Sequence, residues 1–130
     1  MNKLLAAWPP HLLSLLRIVT GFLFAQHGGQ KVLGFPAPQH GPFDLFSIMG
    51  VAGALELVGG LLIVIGLLTR PVAFVLCGLM AFAYFMAHAG QGFWPLHNGG
   101  ELAALYCFVF LYLSAAGGGP WSIDRMRAAR

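Results

Sequence analysis

The sequence predicts an all-α protein, an integral-membrane four-helix bundle running up-down-up-down, with residues 1–130 forming one domain. Three observations predict it. The chain is 58% hydrophobic and 8% charged, whereas an ordinary soluble domain is about one-quarter charged. Too little polar surface remains to coat a globule in water. Four stretches, roughly 11–33, 44–68, 71–89 and 99–117, approach the ~20 apolar residues that a spanning helix needs. Between them stand helix breakers: GFPAPQHGP, the Thr69-Arg70-Pro71 turn and GQGFWPLHN.

The first stretch is too long for a signal peptide. It carries Arg17 inside and ends without a small-residue cleavage pattern, so it reads as a retained span. Helical spacing puts Arg17, Thr20, Gly21, Phe24, His27, Gly28 and Lys31 in one sector. The second stretch groups Met49, Ala52, Gly53, Glu56, Gly59 and Gly60, so a carboxylate sits at mid-span among small residues. Small residues on one face let helices approach closely in lipid. The third aligns Cys77, Ala81, Tyr84 and His88; the fourth aligns His97, Glu101, Ala104, Phe108 and Tyr112. These faces are expected to meet in the interior. The terminal WSIDRMRAAR reads as an interfacial segment, with Ser122 as N-cap and arginines near anionic headgroups.

Charge placement sets the expected orientation. Lys3, Arg70, Arg125, Arg127 and Arg130 fall on one side and only Lys31 on the other. The positive-inside rule then puts both termini in the cytoplasm of a multi-pass protein of the bacterial inner membrane. Trp8, Trp94 and Trp121 each fall just outside a span, where aromatic belts form. The net charge of +3 does not indicate nucleic acid, because no basic run lies on an amphipathic face. The expected partner is the lipid bilayer, with a second copy or a redox protein as a further candidate.

Depth sorts the polar residues into two layers. Arg17 and Glu56 form a candidate intramembrane pair, since a lone charge at a helix centre costs about 2.5–3.5 kcal/mol. His27, Lys31, His88, Asn98 and Glu101 form a candidate outer-leaflet polar or quinone site. Glu101 opens a helix, where free N–H groups favour an anion; it reads equally as a cap that pairs with Lys31 and as part of a site. The Arg17/Glu56 pair reads equally as a packing lock and as a proton or substrate group. Tyr84, Phe108 and Tyr112 are the candidate aromatic lining, with ordinary core packing as the competing reading.

FAQHGGQ and FMAHAGQ share Phe24/Phe85, His27/His88, Gly29/Gly90 and Gln30/Gln91 at one offset of 61 (85 − 24). Either this is coincidence or helices 1 and 3 are a parallel repeat. Two such histidines read as interfacial hydrogen-bonding groups rather than as haem or metal ligands, and no metal set is expected. Cys77 and Cys107 read as small hydrophobes unsuited to a mutual disulfide, since Cys107 points away from the Glu101 face.

With these motifs the chain resembles the DoxX family of small bacterial inner-membrane proteins. RIVTGFLF, HGGQK, LELVGGLLIVIGLLTRP, NGGELAALY and GGGPWSIDR carry the resemblance, in order and over nearly the whole chain. It implies a four-helix membrane protein linked to oxidoreductase systems, and it marks Arg17, His27, Lys31, Glu56, Gly59, Gly60, Glu101, Ser122 and Asp124. No Rossmann fingerprint, CxxC or haem attachment motif is present. The expectation is a membrane component of a quinone- or thiol-linked redox or stress system. Its cofactor is open: a quinone is the candidate and a haem is not expected, and electrons could equally come from a partner protein. The alternatives are a small permease or exporter of a hydrophobic compound, and a non-catalytic assembly or scaffold subunit.

Overall fold

A computed structural model describes residues 3–130, and within this range the side chain of Leu4 is left aside. The regular structure is helical throughout: α1 (Lys3–Ala6), α2 (Pro9–Leu33), α3 (Ile48–Ile65), α4 (Thr69–Ala87), α5 (Pro95–Asn98), α6 (Glu101–Ala116) and α7 (Ile123–Ala128). A 3₁₀ turn at Ala89–Gln91 follows α4.

The helix ends have local causes. Pro9 and Pro10 open α2 with no N–H to lose. Gly34 closes it at φ 67°, accepting the left-handed conformation that ends many helices. Ser47 caps α3 through Gly50 N–H, so that helix starts later than residue 44. Gly66 closes α3 in the same way as Gly34 closes α2. Leu68, at φ 52°, then reverses the chain into α4.

α2 lies along α3, and α4 along α6, while α3 and α4 adjoin more sparsely. Glycine makes the first contact possible. A Cβ on Gly60 would stand 2.8 Å from Ala25 Cα, and one on Gly21 would stand 2.8 Å from Gly60 O. The buried core draws Phe24 from α2, Ile63 from α3, Leu76 and Met80 from α4, and Tyr106, Phe110 and Leu113 from α6. Outward positions stay apolar, with Phe22, Val58, Phe74 and Phe108 all exposed.

Two of the four expected spans, α3 and the segment from Thr69 to Gln91, are long and apolar enough to cross a membrane. α6 is apolar but shorter, at 16 residues. α2 has the length, yet Ser14, Arg17, Thr20 and several glycines dilute its hydrophobicity.

Candidate functional site

The polar residues fall into two centres, but not with the expected pairing. Arg17 and Glu56 do not meet. Arg17 is fully buried (0% exposed) and donates only to main-chain carbonyls: Gly118 (Nε, 2.8 Å), Ile63 and Val64 (Nη1) and Trp121 (Nη2). Ile63 and Val64 are in the last turn of α3, where free carbonyls and the helix dipole favour a cation. The guanidinium therefore ties α2, the end of α3 and the GGGPW loop together. Asp124 completes this closure. Its carboxylate accepts from Leu68 N–H and Thr69 N–H, both at 2.8 Å, and so caps α4 from another segment. Burial pushes the Asp124 carboxyl up, but the Thr69 and Leu68 amides and Arg127 outweigh it and hold it below the usual carboxylate range.

The second centre surrounds Glu56. Both carboxylate oxygens lie 2.7 Å from Lys31 Nζ. Lys31 stands beside Gly53, one turn before Glu56 on α3, because the glycine lets its stem lie against the helix. Lys31 thus has Glu56 as its partner, not Glu101. Glu101 is exposed at the start of α6, and among the described residues it makes no ion pair. The turn ahead of α6 is secured instead by Asn98, whose Oδ1 accepts from Gly100 N–H at 2.8 Å. Asn98 also donates to the Tyr84 hydroxyl and to the Gly92 carbonyl.

Lys31 and Glu56 line a cavity of about 220 Å³ together with His27, Met80, His88, Ala103 and Tyr106. His88 Nδ1 lies 3.0 Å from the Asn98 carbonyl. A carbonyl can only accept, so Nδ1 carries the proton and Nε2 is the free ring nitrogen. A second cavity, about 610 Å³, lies between the first half of α3 and the second half of α4. Its walls are Phe46, Ile48, Met49, Val51, Leu79, Phe82 and Met86, and it shares Lys31, Glu56, Ala83 and His88 with the first. A smaller chamber that carries polar groups among Phe24, Met80 and Leu102 thus adjoins a more apolar one at the ion pair.

Of the expected outer-site residues, His27, Lys31 and His88 come together. Asn98 supports His88 from behind, and Glu101 is outside. The expected aromatic lining is largely displaced. Phe108 and Tyr112 are 69% and 54% exposed, pointing away from the interior, while Tyr84 packs on Gly100 and holds Asn98. The inward face of α6 is Tyr106, Phe110 and Leu113, rotated from the one built on Glu101. A charge at a helix's open end has water within reach and does not mark the buried side. Tyr106 is the site residue the sequence does not single out: Tyr106, Phe110 and Leu113 follow i, i+4, i+7 spacing, but on a helix this apolar other faces meet the same pattern.

The cysteines also require correction. Once α6 is turned by its true inward face, Cys107 flanks α4, and its Sγ lies 3.7 Å from Cys77 Sγ. The two HxGQ motifs differ in local structure: 24–30 is helical throughout, whereas the second breaks at His88. Both histidines nevertheless line one cavity. No group of residues suited to a metal ion occurs among the described residues.

The DoxX family model matches residues 12–89. An uncharacterized protein of Haemophilus influenzae is 43% identical over 129 residues, covering 95% of this chain and 96% of its own. An uncharacterized membrane protein of Mycobacterium tuberculosis is 29% identical over 146 residues, covering 98% and 88%. No solved structure matches.

Proposed function

This chain belongs to the DoxX family, and from that premise we propose that it is a multi-pass protein of the bacterial inner membrane that binds a quinone-type lipophile. In this reading α2, α3, α4 and α6 are four spans of an up-down-up-down bundle with both termini cytoplasmic. Apolar outward faces and the exposed Trp8, Trp94 and Trp121 support the bilayer placement.

The observation that carries the ligand class is that Lys31, Glu56 and His88 line both cavities. An isoprenoid-type tail suits the apolar chamber between α3 and α4, which a lipid-dissolved molecule reaches sideways. A quinone head suits the smaller one. There Lys31 can donate to a ring carbonyl, and the Tyr106 hydroxyl and the His88 ring supply groups able to hold or pass the protons that quinone reduction consumes. Glu56 orients Lys31. The chain would serve as the membrane component of a quinone- or thiol-linked redox system.

The test is direct. Protein purified in mild detergent from its own membranes should carry quinone in its organic extract at near one per chain. A decyl-substituted benzoquinone should bind the purified protein at least ~10-fold more weakly after Tyr106→Phe or Glu56→Gln, a loss of about 1.4 kcal/mol. Tyr112→Phe, on the outer surface, should leave binding unchanged. A quinone-free extract together with equal affinities in all three variants would remove this reading.

A further inference from the structure

We infer that Cys77 and Cys107 form an oxidisable dithiol that delivers two electrons to an acceptor bound in the adjoining cavity. Three features point to it. The sulfurs lie 3.7 Å apart on neighbouring helices, α4 and α6, against about 2.05 Å in a disulfide bond. Both side chains are half-buried rather than sealed in the core, so the pair is not locked by packing on every side. Each cysteine is also within one helical turn of the cavity wall: Cys77 precedes Met80 by three residues, and Cys107 directly follows Tyr106 and stands one turn from Ala103.

The step balances without any other reactant. An Sγ–Sγ bond forms, the two S–H bonds break, and the acceptor's two carbonyl oxygens take up the two hydrogens and two electrons as a hydroquinone. The product disulfide would link α4 to α6 beside the cavity. The identity of the acceptor rests on the quinone reading above, whereas the proximity of the two thiols does not.

The experiment uses the full chain in lipid vesicles under anaerobic conditions, with the decyl-substituted benzoquinone as oxidant. The expected result is one hydroquinone formed per chain with simultaneous loss of both maleimide-reactive thiols after denaturation. Dithiothreitol should restore the thiols, and intact mass should fall by two hydrogens. Cys77→Ser and Cys107→Ala should each abolish hydroquinone formation while still binding the quinone. Quinone that binds and leaves both thiols free would overturn the dithiol step and leave the cavity reading standing. Covalent quinone adducts on single thiols would overturn it equally. A parallel arm with diamide, a small thiol oxidant, separates the remaining failures. Thiols that diamide also leaves open would overturn the pairing itself. Thiols that diamide closes, in a protein that binds no quinone, would overturn the cavity reading and the electron transfer with it.

Discussion

Arg17 illustrates how one residue type can be legible while its role is not. An arginine inside an apolar stretch must be satisfied, and a carboxylate on the next helix was the obvious partner. The chain instead aims the guanidinium at four carbonyls left over where α3 ends and where the GGGPW loop passes. A planar fork can reach four carbonyls in different directions; a lysine ammonium cannot. We therefore expect both Arg17→Leu and Arg17→Lys to lower thermal stability in detergent severely, by about 3 kcal/mol or more. Glu101→Gln should change it by less than about 0.5 kcal/mol, because Glu101 stands at the exposed end of α6. Equal melting of Arg17→Lys and the parent protein would refute the carbonyl account. The Lys31–Glu56 pair follows a different rule. Removing one partner leaves the other uncompensated, so Glu56→Gln should destabilise by about 2–4 kcal/mol, softened because Lys31 reaches the cavity. Adding Lys31→Met to Glu56→Gln should restore much of the loss in the same melting assay.

At the scale of elements, the glycines separate into those that matter and those that do not. A Cβ on Gly28 would fall on the Leu57 backbone, which belongs to a neighbouring helix and cannot step aside. A Cβ on Gly78, within α4, meets nothing within 4 Å. Gly28→Ala should accordingly part α2 from α3 and lower the melting temperature, whereas Gly78→Ala should raise stability by about 0.5–1 kcal/mol through helix propensity. The reverse order would show that the α2–α3 contact is looser than described. The cap that α7 supplies to α4 has its own signature. Asp124 is held below the usual carboxylate range in the folded chain. Its contribution is complete above the unfolded value of about 3.9 and disappears as pH falls through the lower folded value. Asp124→Asn should flatten that part of the stability profile and cost about 1 kcal/mol at neutral pH, as read by melting from pH 7 down to pH 3.

For the molecule as a whole, the two ends divide the work. One end is tied by Arg17, Asp124, Ser122 and the glycine loop, where a Cβ on Gly119 would strike Ser14. The opposite end keeps the cavity, because α3 and α4 converge at their Gly66–Leu68 turn and leave room toward Ile48 and Ala87. Rigidity at one end and space at the other suit a bundle that holds a lipophile. Orientation is the matching prediction. A C-terminal fusion to a reporter active only in the cytoplasm should be active, and one active only outside it should be silent; the opposite result would invert the charge argument built on Lys3, Arg70 and the terminal arginines.

The sequence by itself determined the helical class, the Gly/Pro-rich breaks after α2 and α4, the buried face of α2 and the gathering of His27, Lys31 and His88 at one end. These follow from composition, proline and glycine positions and helical spacing, all of which act locally. The expected Thr69-Arg70-Pro71 break instead forms the first turn of α4, and the chain reverses at Gly66–Leu68. Only the tertiary structure decided which charge answers which, that Tyr106 rather than Phe108 or Tyr112 faces the cavity, and that Cys77 meets Cys107. Each of those depends on the rotation of α6 about its own axis and on where a distant loop delivers its carbonyls. In a chain with this little polarity, many residues on α6 are equally apolar. Their spacing then marks a helix without marking its inner side, and packing against Phe24, Leu76 and Met80 makes the choice.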